Sequence, residues 1–190
     1  MSTSYSTALS HIILAGTGIY CYLGVNDHSL YFPQCSFGSI IVNSLLGVWR
    51  WGNPSYGRNS NGLYKFTSLL QDLLALPCIV STELLQYGYM KEIAYAYTLV
   101  SVLPLITYIC DNRNMSNDLL NTILGANCIT LGVLSFLHQN YFGIAACVSY
   151  AFNHFLVRND DETYFDIPSQ DLYNYAMCFF AFFGLKTVLD

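Results

Sequence analysis

Seven apolar runs, each close to the length that crosses a bilayer, divide this chain of 190 residues from end to end. A spanning helix needs about 20 mostly apolar residues, within a range of roughly 17 to 25. The runs fall at 7–25, 35–51, 63–82, 92–110, 118–137, 141–157 and 170–188. Polar, turn-forming stretches separate them: Asn26-Asp27-His28 with Pro33, Gly52-Asn53-Pro54 through Asn61-Gly62, Asp111-Asn112-Arg113-Asn114, and Asn159-Asp160-Asp161-Glu162. In lipid every backbone N–H and C=O needs a partner within the protein, and an open sheet edge leaves them bare. The expected fold is therefore an all-α polytopic transmembrane helix bundle, one domain over 1–190, of about seven helices. Only His138-Gln139-Asn140 divides the fifth run from the sixth. A tight helical hairpin is expected there; if 118–157 form one broken or re-entrant unit, the count is six.

Composition points the same way. Only 10% of residues are charged, against about a quarter in soluble domains, and 54% are hydrophobic. The mean hydropathy of +0.39 is modest because 16 tyrosines and many Asn and Ser dilute it without adding charge. The net charge of −5 is spread thinly, with no basic run for nucleic acid and no polybasic cluster for anionic lipid. The expected surroundings are the lipid bilayer, and nucleic acid is excluded as a partner.

Seven cysteines (21, 35, 78, 110, 128, 147 and 178) stand singly, with no C-x-x-C and no histidine at metal spacing. No cofactor motif accompanies them. Cys21 and Cys35 bracket one loop and pair only if that loop faces an oxidising compartment. Residues 1–10 hold no Lys or Arg, and no small-residue cleavage site follows the first run. That run is expected to stay as a membrane helix and not to be cut as a signal peptide.

Seven crossings put Arg50, Arg58, Lys65, Arg113 and Arg158 on the side of the N-terminus, and Lys91 and Lys186 on the other. The bias predicts a cytosolic N-terminus, with Trp49 and Trp51 in an aromatic belt at that interface. The sequon Asn114-Met115-Ser116 then lies in the cytosol and stays unmodified. Faint echoes, Leu76-Pro77-Cys78-Ile79 with Leu103-Pro104-Leu105-Ile106, are too short to establish an internal repeat.

From Ser6-Thr7-Ala8-Leu9-Ser10-His11, through Leu103-Pro104-Leu105, Asp111 and Asn117–Leu120, to Asp171 at the last run, the chain resembles the transmembrane protein 276 family. The resemblance implies a small multi-pass membrane protein. It carries over no catalytic or binding residue.

The chemically unusual residue is Asp72, near the middle of the run 63–82. Aspartate at a transmembrane helix centre costs roughly 2.5 to 3.5 kcal/mol on insertion scales, so it normally faces the bundle interior and has a partner. Placed by the ends of their runs, Asn43 and Asn127 lie at similar depth, with Thr17, Ser101 and Ser149 near the middle of theirs. Two readings of the Asn43, Asp72, Asn127 layer stand side by side. A protonated Asp72 donates to Asn43 or Asn127 as interhelical glue, or a charged Asp72 stands in a wet midplane cavity of the kind transporters use. Pro77 is expected to kink this helix and free a carbonyl near Leu73.

Other candidates carry less. His11 and His154 fall about one turn inside the N-terminal boundary, where headgroups or backbone would satisfy them. A metal there lacks an assured third ligand. Ser39, Asn43 and Gly47, and likewise Gly143, Cys147 and Ala151, form small-residue ridges that let helices approach closely. Asp160-Asp161-Glu162, with Asp166 and Asp171 beyond, reads as a solvated acidic loop without the glycine turn a calcium loop needs. With short loops and no H-E-x-x-H or G-x-S-x-G motif, the leading expectation is a non-enzymatic accessory or assembly subunit acting on a membrane-protein partner through helix packing. The alternative is a small transporter or channel built on the polar layer around Asp72, and a membrane enzyme ranks third.

Overall fold

The computed structural model describes residues 5–26, 30–53, 61–110, 117–157, 163–164 and 167–190. Seven α-helices make up almost all of it: α1 (Tyr5–Asn26), α2 (Tyr31–Gly52), α3 (Asn61–Gln86), α4 (Lys91–Cys110), α5 (Asn117–Leu137), α6 (Tyr141–Phe152) and α7 (Ser169–Leu189). A π-helical turn, Asn153–Val157, prolongs α6, and β1 (Thr163–Tyr164) pairs antiparallel with β2 (Ile167–Pro168) ahead of α7. The sequon at Asn114 and the acidic stretch Asp160-Asp161-Glu162 lie outside the described residues, as do Arg58, Arg113, Arg158 and Asp166.

Among the described residues, five helical stretches are long and apolar enough to cross a membrane: Tyr5–Val25, Asn61–Gln86, Lys91–Ile109, Asn117–Leu137 and Ser169–Leu189. Tyr141–Val157 is a shorter apolar helix. α2 is diluted by Ser36, Ser39, Asn43 and Ser44, all buried against neighbouring helices, while Val42, Leu45 and Trp49 are exposed. Hydroxyls on the apolar helices close locally. Thr17 donates to the Ile13 carbonyl, Thr82 to Cys78 and Thr187 to Phe183, each four residues back. Ser149 is half-buried on α6.

α3 is the hub, packed against α2, α4, α5 and α7; α1 closes the bundle between α2 and α7, and α6 lies between α5 and α7. The hub position explains why α3 is buried on nearly every side, from Leu69 through Leu84. Pro77 sits inside the continuous helix α3. In the turn before it, two carbonyls also accept from other helices: Tyr150 Oη of α6 donates to the Asp72 carbonyl at 2.9 Å, and Ser36 Oγ of α2 to the Ala75 carbonyl at 2.7 Å.

Two tight turns set helix ends. α3 closes on Gly88, at φ 79°, with Tyr89 N donating to Leu84 O and Gly88 N to Leu85 O. This is the double bond of a Schellman cap, in which glycine accepts the left-handed backbone without steric penalty. The α5–α6 turn repeats it with Gln139 at φ 59° and Asn140 N donating to Ser135 O at 2.8 Å. Asn140 then caps α6, its side chain accepting from Gly143 N at 3.0 Å. Three residues thus stop one helix and start the next, which gives the hairpin and not a single broken helix.

Candidate functional site

Asp72 is 1% exposed in the middle of α3, and the network around its carboxyl draws on α2 and α7. Tyr173 Oη of α7 donates to Asp72 Oδ1 at 2.7 Å. The same hydroxyl accepts from Gln71 Nε2 at 3.2 Å. Gln71 Oε1 accepts from Asn43 Nδ2 at 2.9 Å, and Asn43 Oδ1 accepts from Thr67 Oγ1 at 3.0 Å. All five side chains are buried. A polar chain thus runs from α2 through α3 to α7, in which each amide uses both its donor and its acceptor.

Of the expected layer, Asn43 joins Asp72 through Gln71 and Tyr173. Asn127 belongs to a different network: its Nδ2 donates to Ser101 Oγ of α4 at 3.0 Å and to the Ile123 carbonyl of its own helix at 2.8 Å. Depth alone put Asn43 and Asn127 together, but helix order puts α3 between them. Gln71 and Tyr173 are the residues that sequence reasoning missed. Gln71 adjoins Asp72 and offered a signal, whereas Tyr173 is one of 16 tyrosines and had none.

A cavity of about 820 Å³ leads to this network from the end of the bundle that carries residue 5. Its wall there is built from converging helix termini: Arg50 and Trp51 of α2, Tyr64 and Lys65 of α3, and Ser169 of α7. Asp72 and Tyr173 line its inner part. The Arg50 guanidinium carbon lies 4.6 Å from the centroids of both the Trp51 and Tyr64 rings, so aromatic faces hold the cation at the wall. Positive charge near the mouth and a carboxyl within give the cavity a polarity along its length.

Beside this wall lies a second buried group. His11, expected at the headgroup level, is fully buried, and its Nε2 is 3.2 Å from Tyr64 Oη. Gly47 of α2 lies flat against its ring, where a Cβ would overlap the imidazole atoms. Burial follows because the small-residue ridge Ser39, Asn43, Gly47 lets α1 and α2 close on each other. His154 has other partners, Asn121 Oδ1 at 3.0 Å and the Tyr150 ring, and the two histidines do not form one site. No group of three or more His, Cys, Asp or Glu able to hold a metal occurs among the described residues.

Asp171, grouped by sequence with the solvated acidic loop, is 1% exposed in the first turn of α7. Ser6 Oγ and Ser10 Oγ of α1 both donate to its carboxylate, and Asn174 Nδ2 donates to Ser10 Oγ at 2.9 Å. A carboxylate in a first turn also meets the positive end of the helix dipole. Cys21 and Cys35 are free thiols: Cys21 is buried with its Sγ on the Ala181 carbonyl, and Cys35 is exposed on α2.

No family model matches this chain, and no curated protein or solved structure matches it.

Proposed function

We propose that this protein is a small-solute transporter or channel working through the cavity that ends on Asp72. The observation that carries the reading is the cavity, about 820 Å³ and walled by Arg50 and Lys65 toward the helix ends and by Asp72 and Tyr173 within the bundle. An intramembrane carboxyl is by default a functional site, and transporters set their sites between helices near the bilayer midplane. The arrangement of charge suits a small zwitterion, whose anionic group meets Arg50 and Lys65 while its cationic group meets Asp72. The test is uptake of a panel of labelled amino acids by proteoliposomes containing the purified protein. Uptake is expected to saturate and to fall about tenfold or more in Asp72→Asn, equivalent to a loss of roughly 1.4 kcal/mol, with expression unchanged. Equal uptake by the variant and the wild type would rule this site out.

A second reading, an accessory subunit, draws on α4. Tyr95, Leu99, Leu103 and Ile106 form an exposed stripe on it at helical spacing. Stoichiometric recovery of one membrane partner in mild detergent, lost on Leu99→Lys, favours this reading over transport.

The orientation proposed is a cytosolic N-terminus, from the Lys and Arg bias. It predicts no glycan on Asn114 in a eukaryotic expression host. Kinship with the transmembrane protein 276 family is likewise a proposal. Its support is the run of short motifs from Ser6-Thr7-Ala8-Leu9-Ser10-His11 to Asp171.

A further inference from the structure

Glu83 is fully buried near the other end of α3, and neither of its carboxyl oxygens has a hydrogen-bond partner in bonding geometry among the described residues. It follows Asp72 by 11 positions, which is about three helical turns, leaving the two carboxyls on nearly one face of α3 and about 16 Å apart along it. Leu76 and Ile79, both fully buried, fill the same stripe between them. Ile79 packs on Gly184 of α7, where an added Cβ would stand 3.7 Å from its side chain. The cavity reaches the first carboxyl, and an apolar stretch separates it from the second.

The surroundings of Glu83 fit a proton better than a solute or a metal. The ionisable groups next to it are the Tyr87 phenol, one turn on, and Asp190 at the end of α7. No cation is among them. Lys186 of α7 and Lys91 and Glu92 of α4 are exposed. Tyr87 is half-buried, and its ring is stacked on the exposed ring of His138 with centroids 3.6 Å apart and planes 5° from parallel. Asn140 Nδ2 donates to Tyr87 Oη at 3.3 Å and also to the Thr187 carbonyl at 3.1 Å, so the α5–α6 turn holds the phenol in place. Because the Tyr87 oxygen accepts from Asn140, its own proton is left for another acceptor. A buried carboxyl facing no cation is accommodated by carrying a proton itself.

We propose that Glu83 is a buried proton site, on the same face of α3 as Asp72 and toward the opposite end of the bundle, exchanging with water through Tyr87. In the exchange, a hydronium ion gives a proton to the Tyr87 oxygen and leaves as water, while the phenol passes its own proton to Glu83. The carboxylate becomes a carboxyl and the phenol is regenerated. Use of this proton to drive solute movement rests on the transport reading above; the existence of the site does not.

Infrared difference spectroscopy of the protein in lipid nanodiscs tests the site. The wild type is expected to show the carbonyl stretch of a protonated carboxyl that Asp72→Asn retains and Glu83→Gln lacks. In heavy water, Tyr87→Phe keeps the stack on His138 but is expected to slow deuteration of that band about a hundredfold, the lower end of what a positioned proton-transfer group contributes. The Tyr87→Phe result decides the matter if Glu83→Gln does not fold. The proposal is overturned by a band that survives in Glu83→Gln, or by equal deuteration rates in Tyr87→Phe and the wild type. Uptake by Asp72→Asn, measured separately, decides the transport reading, so either idea can fail alone.

Discussion

Tyr173 Oη donates to Asp72 Oδ1 at 2.7 Å across the junction of α7 and α3, the tightest polar contact in the network at the inner end of the cavity. One hydroxyl serves two neighbours there, because it also accepts from Gln71. Its removal therefore strands more than one group. Tyr173→Phe is expected to destabilise the fold by about 1 to 3 kcal/mol, the penalty for leaving a buried polar group unsatisfied. Asp72→Asn, which keeps an acceptor oxygen for Tyr173, is expected to stay within about 1 kcal/mol of the wild type. Thermal unfolding in detergent ranks the two; a more severe loss in Asp72→Asn contradicts the assignment of the bond.

Gly47 and His11 form a steric pair. Gly47→Ala puts a methyl group into the imidazole ring, and overpacking of this kind costs typically about 1 to 3 kcal/mol. His11→Ala in the same chain removes the obstacle. The double variant is expected to lie well above the sum of the two single losses. Strict additivity in a double-mutant cycle argues against direct contact.

The α5–α6 turn holds one residue against its backbone preference. Gln139, at φ 59°, occupies the left-handed region that glycine accepts freely. Gln139→Gly is expected to raise stability by up to about 1 kcal/mol. Asn140→Ala should act the other way, losing the cap on Gly143 N as well as the bonds to Tyr87 and Thr187. A cap alone contributes about 1 kcal/mol, so a loss above that figure is expected. Chemical denaturation midpoints of the two variants should move in opposite directions.

Tyr150 and Ser36 tie α6 and α2 to the segment of α3 that precedes Pro77. Each donates a hydroxyl to a carbonyl of the helix segment before the proline. Tyr150→Phe and Ser36→Ala are each expected to cost about 0.5 to 1.5 kcal/mol, the net contribution of one interhelical hydrogen bond. Hydrogen exchange should quicken along 72–79 in both variants. Exchange that quickens only at the site of substitution counts against this account.

Helix content and helix positions were legible in the sequence because the bilayer constrains the backbone strongly. Apolar run length and the polar breaks at Gly52-Asn53-Pro54 and His138-Gln139-Asn140 suffice to order the elements. Glu83 escaped notice for a related reason: hydropathy ends a run where polarity begins, at residue 82, while α3 continues through Gln86. Asp171 was misread because its neighbours in sequence are acidic, whereas its neighbours in space are Ser6 and Ser10.

The sequence by itself determined that Asp72 lies deep in an apolar helix and needs company, since a bare carboxyl there is costly. Only the tertiary structure decided which company it has. Depth along a helix follows from counting residues, but rotation and neighbour choice follow from how the helices pack. That packing turns Asn43 toward Asp72 through Gln71 and Tyr173, sends Asn127 to Ser101, and leaves a polar cavity reaching the carboxyl from one end.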